Sequence, residues 1–395
     1  KVSTSLASLG LDVDANSTVS SLTVGHATPV SIADGITLSG GITVSAGSIK
    51  LGEAGTLGST VTMSGGTLDV DETLTLSGAL TQSGAIEIDV KTGEVLTYSG
   101  ASLSLGANTL TMSGEGTFSN SNDLDLNNAS SKLLLSSSIT VGSVSTSADN
   151  SGLDVDDNST VSSLTVGHRT TVSIASGKTL SGAITVTDGS IKFDETGTLA
   201  STVSMSGGEL DVNNSLTLSG TLSQSGDIEI DIGGGKTLTY TGAAISLGAN
   251  KLVLTGAYAN GGATFSNTNA LILNNADSKI RFNGPMTVAA ASVTAASNTG
   301  KGLHVYTDVT ISSLTVSADT EIKIANSKTL SGATEIAEDT TLTLSSTGTG
   351  TFASTLNLKG TLQSGAGLEI SGLISVGGDS AISIPSADTT LTYSG

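Results

Sequence analysis

"LDVDANSTVSSLTVGH" at residues 11–26 returns as "LDVDDNSTVSSLTVGH" at residues 153–168, and the only difference is that Asp157 replaces Ala15. The offset between the two copies is 153 − 11 = 142. Within each copy, Leu and Val alternate with Asp, Ser and Thr, which is the two-residue period of a β-strand with one buried face. Self-similarity at a long fixed spacing indicates an array of stacked structural units.

The repeat continues beyond this motif. Residues 74–89, "LTLSGALTQSGAIEID", match residues 216–231, "LTLSGTLSQSGDIEID", at the same offset. From Phe118 to Phe265 the offset is 265 − 118 = 147, because "GAYANGGATF" at residues 256–265 is five residues longer than the corresponding "GEGTF". Surface turns tolerate insertions of this kind, so we expect a surface turn here.

Each long unit also contains a shorter period. Apolar pairs start mostly six to eight residues apart, and Gly-containing corner signals lie between them. Three such strands with their corners take about 20 residues, and 142 ÷ 7 is also about 20. The pattern therefore predicts an all-β fold, a parallel β-solenoid (right-handed β-helix) with about 20 residues per rung, where a rung is one turn of the chain. A β-sandwich or an up-and-down barrel would not explain an unbroken pattern over 395 residues.

A third, divergent copy begins at "LHVYTDVTISSLTV" and ends on "LTYSG", in the middle of a unit. We expect one continuous solenoid, built from stacked repeats. Its parts are the end of a preceding repeat at 1–10, repeat 1 at 11–152, repeat 2 at 153–302 and an incomplete repeat 3 at 303–395.

The amino-acid composition indicates what fills the core and which partners are disfavoured. Glycine contributes 50 residues, Pro 3 and Trp none, and aromatic residues make up 3%, so we expect an aliphatic core. The formal charge of −20 disfavours nucleic acid as a partner. No apolar run is long enough to cross a bilayer, so membrane insertion is not expected. The chain opens with Lys1 and has no basic and apolar leader, so we expect a processed form or an excerpt. The absence of Cys rules out disulfides, thiolate catalysis and thiolate metal sites.

The motif Asp12-x-Asp14-x-Asn16 resembles the start of a calcium loop. However, neither the Gly turn nor the bidentate carboxylate of such a loop follows at the required spacing. The third copy places His304, Tyr306 and Asp308 at the equivalent positions, which removes two carboxylates. We therefore expect a solvated strand face with Asp12 and Asp14 pointing outward, and Leu11 and Val13 pointing inward.

The remaining polar motifs also have structural interpretations. His26 and His168 are equivalent by the same offset, and we expect both to lie at surface corners. "DIGGGKTLTY" at residues 231–240 lacks the preceding Gly of a phosphate loop and leads into a strand. No constellation for nucleophilic or acid–base catalysis stands out, so we expect no catalytic, cofactor-binding or metal site, no cofactor and no enzymatic activity.

Asn residues recur at matching corners in "NNAS", "NNAD" and the two "LGAN" segments. We predict that their side chains satisfy backbone groups at the turns of the solenoid. Four Asn residues also open glycosylation sequons, which matter only if the source glycosylates its surface proteins. They are Asn16, Asn128, Asn158 and Asn213.

Two segments carry a family resemblance. "TLSGAITVTDGSIKFDETGTL" at residues 179–199 and "LTLSGALTQSG" at residues 74–84 resemble the β-helical passengers and stalks of bacterial cell-surface adhesins. The resemblance implies a secreted or cell-attached protein that acts as an adhesin, a stalk or an extracellular fibre. The chain departs from better-defined members because it has no translocator barrel, secretion domain or recognised adhesive tripeptide.

These observations favour an extracellular structural protein, a rigid repeat segment of a surface adhesin, sheath or fibre that associates with itself. The ends show no capping pattern, which favours a fibre or sheet over an excerpt of a long monomeric stalk. One alternative is a module that binds surface glycans or a host protein through the turn at residues 256–265. A less favoured alternative is a polysaccharide-active β-helix enzyme, which would need clustered carboxylates and sugar-stacking aromatics.

Overall fold

The computed structural model describes residues 2–4, 10–257, 261–365, 368–383 and 391–393, and for the first and last of these segments it describes the backbone alone. All regular structure in these residues is β-strand, and none of them lies in a helix. The chain divides into two compact units, residues 1–185 with 189–202 and residues 186–188 with 203–395. Each unit is described by itself below.

The first unit contains strands β1 to β25, although Val186 at the end of β23 is counted in the second unit. They are β1 Val2–Thr4, β2 Leu11–Val13, β3 Ser17–Val24, β4 Thr28–Ile32, β5 Thr37–Val44, β6 Ser48–Leu51, β7 Thr56–Leu57, β8 Thr60–Met63, β9 Thr67–Val70, β10 Leu74–Leu76, β11 Leu80–Gln82, β12 Ile86–Val90, β13 Val95–Tyr98, β14 Leu103–Ser104, β15 Thr109–Gly114, β16 Thr117–Asn120, β17 Leu124–Leu126, β18 Lys132–Leu135, β19 Thr140–Thr146, β20 Ser151–Val155, β21 Ser159–Val166, β22 Thr170–Ile174, β23 Thr179–Val186, β24 Ser190–Phe193 and β25 Thr198–Leu199.

The second unit contains the strands that follow. They are β26 Thr202–Met205, which begins on the last residue of the first unit, β27 Glu209–Val212, β28 Leu216–Leu218, β29 Leu222–Gln224, β30 Ile228–Ile232, β31 Thr237–Tyr240, β32 Ile245–Ser246, β33 Lys251–Gly256, β34 Ala263–Asn267, β35 Leu271–Leu273, β36 Lys279–Phe282, β37 Met286–Val293, β38 Gly302–Val305, β39 Val309–Val316, β40 Thr320–Ile324, β41 Thr329–Ile336, β42 Thr341–Ser346, β43 Gly350–Leu358, β44 Thr361–Ser364, β45 Leu368–Ile370, β46 Ile374–Val376, β47 Ala381–Ser383 and β48 Leu391–Tyr393.

Each unit is a parallel β-solenoid, as the sequence predicts. In the first unit, Leu22 pairs with Ile42 and Ile88 pairs with Met112, so the offset between partners is 42 − 22 = 20 in one rung and 112 − 88 = 24 in another. All strand pairs of known register in both units are parallel, and equivalent positions of successive rungs lie side by side. A parallel pair at one-turn spacing places each side chain on its equivalent in the next rung, so the apolar columns are continuous from rung to rung.

The predicted insertion lengthens one rung. In the first unit Leu110 pairs with Leu133, an offset of 133 − 110 = 23, whereas in the second unit Leu252 pairs with Ile280, an offset of 280 − 252 = 28. The difference of 28 − 23 = 5 equals the length of the insertion in "GAYANGGATF". Residues 258–260 of that segment lie outside the described residues, and the flanking Ala257, Gly261 and Gly262 are exposed.

Three strand segments per rung were predicted, but in several rungs the first two join into one strand of eight or nine residues, as in β5, β23, β41 and β43. In the first three of these strands the bend falls at the Gly of "TLSG". Gly40, Gly182 and Gly332 have φ values of 118°, 120° and 121°. A Cβ on each would lie 1.8 Å from a carbonyl oxygen of the previous rung, so the bend requires glycine.

The interior is filled mainly by Leu, Val and Ile, but the expectation of an aliphatic core is only partly right. All five Phe residues are fully buried, together with Tyr98 and Tyr240. The ring of Tyr98 stacks on Phe118 at 6.0 Å between centroids, and Tyr240 stacks on Phe265 at 6.3 Å. Aromatic residues are few, yet these seven are the largest fully buried side chains among the described residues, so they contribute to the core together with the aliphatic residues.

Candidate functional site

The repeated motif of residues 11–26 joins consecutive rungs through its Asn. The side-chain oxygen of Asn16 accepts a hydrogen bond of 2.9 Å from the backbone N–H of Thr37. Asn158 accepts the same bond from Thr179 at 3.0 Å, and Asp308 accepts it from Thr329 at 2.9 Å. The three Thr residues each begin a long strand, so the motif satisfies the first N–H of the next rung. This role explains why either Asn or Asp serves at that position.

The two aspartates of the motif lie on the outer face, as predicted, because Asp12 and Asp14 are both exposed. Val13 is buried, but Leu11 is only half-buried. In the second copy Asp154 forms an ion pair with Lys132. The described residues contain no group of three His, Asp or Glu side chains arranged to hold a metal ion.

The two equivalent histidines lie at exposed corners, as expected. The Nδ1 atom of His168 lies 3.5 Å from a carboxylate oxygen of Asp149. The backbone carbonyl of His26 accepts a hydrogen bond of 3.0 Å from the hydroxyl of Thr28. Neither contact converges with further polar side chains into a reactive site.

The corner Asn residues satisfy backbone groups, which confirms their predicted role. The side-chain oxygens of Asn127 and Asn274 each accept a 2.9 Å hydrogen bond from the N–H of the Gly in "LGAN" one rung earlier. The amide of Asn108 donates to the carbonyl of Leu105 at 2.9 Å. Such bonds replace the ladder bonds that strands lose at corners. The four sequon residues Asn16, Asn128, Asn158 and Asn213 are exposed.

An acidic cluster lies on the outer face of the first unit. Lys50, Asp69 and Asp89 occupy paired positions on β6, β9 and β12, and Lys50 binds Asp71 at 2.6 Å. Burial raises the pKa of Asp89, and the charges of Asp69, Glu87 and Asp71 raise it further. This crowding destabilises the ionised form of Asp89 in the folded state.

A basic face, which sequence reasoning did not identify, lies on the second unit. It consists of Lys279 and Arg281 on β36, His304 on β38, Tyr306 directly after that strand, and Lys323 on β40. Arg281 pairs with His304, and His304 pairs with Lys323, so these three side chains form one column. Neighbouring strands lie about 4.8 Å apart, which sets the spacing along the column.

His304 occupies the position of the outward-facing Asp12, yet it is only 5% exposed. Neither ring nitrogen has a hydrogen-bond partner, although the carbonyl of Lys301 is near enough to favour the protonated ring slightly. Burial, followed by the charge of Lys279, holds the pKa of His304 below its usual value of 6.5. The neutral form of the ring is therefore favoured in the folded chain.

The second unit also contains two surface grooves. One, of about 560 Å³, is lined by polar side chains that include Asn298, Glu321, Thr343 and Gln363. Glu321 lies two residues before Lys323 on β40, so this groove adjoins the basic face. The other, of about 440 Å³, lies elsewhere in the unit against Thr315, Glu335 and Asn357.

One feature of the sequence could have indicated the basic face, although only weakly. The segment 251–323 holds a concentration of cations in a chain that has only 15 basic residues, and these include Lys251, Lys279, Arg281, Lys301 and Lys323. Cations on different strands of the face are separated along the chain by a whole rung, which hides the cluster from any short sequence window. Only the strand register brings them onto one face.

Comparison of the chain with protein-family models, with curated proteins and with solved structures found no match. Within the described residues, no helix is long and apolar enough to span a membrane.

Proposed function

We propose that this chain is an extracellular structural protein, a rigid repeat segment of a surface adhesin, sheath or fibre that associates with copies of itself. The observation that carries the proposal is that successive rungs are joined by three kinds of contact. Parallel ladders, continuous apolar columns and side-chain bonds from one corner to the next join each rung to its neighbour. Such a unit resists deformation because each rung opens only when several of these bonds break together.

The contacts of the repeated polar side chains support a mechanical role. Asn16, Asn158 and Asp308 bind the backbone of the next rung, and the corner Asn residues do the same. The residues that recur between copies therefore serve the stacking itself. A regular stack of this kind is typical of proteins whose activity is to span distance or present a surface.

An exposed apolar edge supports self-association. Leu373 and Val376 are 70% and 67% exposed, and Val376 continues the interior column of Leu358, with which it pairs. Ile382 continues the column of Leu362 and is 45% exposed. We propose that a second copy of the chain packs against these exposed apolar side chains.

Sedimentation velocity over a wide range of concentrations tests this proposal. We expect the sedimentation coefficient of the wild-type chain to rise with concentration, and negative-stain images to show fibres or sheets. In the variant Leu373→Lys/Val376→Lys, two charges oppose burial of the apolar edge, so the coefficient should stay constant.

Ser375→Lys is the matched control, because Ser375 is exposed on the same strand. It should associate as the wild type does. A wild-type coefficient that does not change with concentration would contradict self-association and favour a monomeric stalk.

A further inference from the structure

We propose that the basic face of the second unit, formed by Lys279, Arg281, His304, Tyr306 and Lys323, binds an anionic saccharide that carries carboxylate or sulfate groups. This inference goes beyond the structural role proposed above, and it does not depend on self-association. It assigns a ligand class to side chains on the outer face of the second unit.

The cations of this face are not neutralised by the protein. The Nε of Arg281 donates to the side-chain oxygen of Asn283 at 2.7 Å, and Lys279 reaches only the carbonyl of Gly300 at 3.4 Å. Among the described residues, no carboxylate forms an ion pair with Lys279, Arg281 or Lys323. Most of the guanidinium donors of Arg281 are therefore free for a ligand.

Acidic residues outnumber basic ones by 35 to 15, and several lysines elsewhere pair with carboxylates. Lys50, Lys178 and Lys359 each lie within 2.7 Å of one. Among the described residues Lys91, Lys236 and Lys328 form no such ion pair, but they do not lie together on one face as the cations of the basic face do.

On the basic face, by contrast, the cations repel one another. Burial lowers the pKa of Lys279, and the charges of the neighbouring cations, Arg281 first among them, lower it further. A bound anion would offset the repulsion among these cations.

His304 supplies an independent indication of a ligand. Its ring is more than nine-tenths buried beneath the basic face, since only 5% of the residue is exposed, and both nitrogens lack a partner. A buried polar group without a partner destabilises a fold, and a ligand that binds the group is one reason for a chain to retain it. Arg281 and Lys323 occupy the paired positions on either side. An anion that draws these two side chains outward would give the ring nitrogens access to ligand oxygens.

Tyr306 and the adjoining groove indicate a sugar instead of a simple ion. Tyr306 is 41% exposed, and the guanidinium carbon of Arg281 lies 4.7 Å from its ring centroid. An exposed aromatic face packs against the apolar face of a sugar ring. The polar groove of about 560 Å³ beside Lys323 offers Thr343 and Gln363 to sugar hydroxyls. The carboxylates of Asp319 and Glu321 in this groove accept hydrogen bonds from hydroxyls but repel anionic groups, so the anionic groups of the ligand would lie over the cations and its hydroxyls in the groove.

The net charge of the chain favours a short anionic saccharide over a nucleic acid as the ligand. At −20, the protein repels a long phosphate backbone over most of its surface. A short anionic oligosaccharide needs only the local cations. The ligand chemistry that fits is therefore a short chain of uronic or sulfated sugars.

Isothermal titration calorimetry with the full chain tests the site. The probes are an oligogalacturonate, a sulfated heparin-derived oligosaccharide and the neutral cellohexaose. We expect at least one anionic probe to bind, with affinity that falls as salt rises, and cellohexaose to bind much more weakly. Arg281→Gln/Lys323→Gln should raise the Kd of the anionic probe at least about tenfold, and Tyr306→Ala should raise it severalfold.

Lys132→Gln/Lys192→Gln is the matched control. It removes two cations from outer strand faces where each lysine pairs with a carboxylate, and it should leave the Kd unchanged. Circular dichroism and thermal unfolding check that every variant is folded. The proposal is overturned if no anionic probe binds at low salt, or if the control loses as much affinity as the Arg281 and Lys323 variant.

Two further results would overturn the assignment to a saccharide. If Tyr306→Ala binds the anionic probes as the wild type does, the face holds an anion without recognising a sugar ring. If no probe binds but Arg281→Gln/Lys323→Gln abolishes concentration-dependent sedimentation, the occupant is the acidic surface of a second copy.

Discussion

The side-chain oxygen of Asn158 accepts a 3.0 Å hydrogen bond from the backbone N–H of Thr179, one rung further along the chain. Thr179 is the first residue of β23, where the strand ladder does not yet supply a partner. The bond ties a corner of one rung to the start of the next. Asn16 and Asp308 form the same bond, so this polar position joins the equivalent pair of rungs in each repeat.

We expect Asn158→Ala to weaken this junction. The N–H of Thr179 loses its acceptor, which should lower the local free energy of opening by about 1–3 kcal/mol. Hydrogen exchange of the Thr179 amide, followed by mass spectrometry, should accelerate accordingly. Asp156→Ala, an exposed change in the same corner, should alter it by less than about 0.5 kcal/mol. Unchanged protection of Thr179 in Asn158→Ala would contradict the role of this bond.

The acidic motif at residues 12–14 should contribute little to stability. Asp12→Ala/Asp14→Ala changes exposed side chains, so the free energy of unfolding should move by less than about 0.5 kcal/mol. Val13→Asp places a charge at a buried position and should disrupt its rung. Thermal unfolding with and without a chelator checks both. A chelator that lowers the melting temperature of the wild type but not of the double variant would indicate a calcium site instead.

Gly182→Ala should be strongly destabilising. The residue has a φ of 120°, and a Cβ there would lie 1.8 Å from the carbonyl oxygen of Val161. Backbone strain and this clash together should cost at least about 2 kcal/mol in chemical unfolding. Gly152→Ala is the matched control, because nothing lies within 4 Å of its added Cβ. Equal stability of the two variants would show that the rungs can separate at the bend without cost.

Stability should fall as the pH decreases through the titration of His304. Its pKa is lowered in the folded chain, so the unfolded ring binds a proton first, near pH 6.5, and unfolding becomes more favourable below that pH. The stability that neutral His304 contributes is fully lost once the pH falls below the pKa of His304 in the folded chain. The charges of Lys279 and Lys323 oppose protonation of the folded ring, while that of Glu321 favours it.

His304→Gln should flatten the pH dependence of the melting temperature between pH 7.5 and 5.5. His168→Gln, at an exposed corner, is the control and should retain the wild-type slope. If His304→Gln has the same slope as the wild type, the buried ring does not control acid stability.

The parallel solenoid was predictable from the sequence because every stacked rung requires the same types of residue at equivalent positions. Each strand needs apolar residues two apart, and each bend needs Gly, as at Gly40 and Gly182. These demands recur every rung, so they appear as periodicity in the sequence. Even the five-residue insertion was visible, since it lengthens one rung without disturbing the pairing of Leu252 with Ile280.

The inner or outer direction of a side chain was also predictable from alternation, but its burial was not. His304 stands at an outward position, and only the side chains around it on β36 and β40 remove it from water. The same holds for the basic face, whose strands are a full rung apart in the sequence. Periodicity determines the rung and the face on which a residue lies, because both depend on local backbone geometry. The tertiary structure alone decides which charges become neighbours, because that depends on the register between rungs of unequal length.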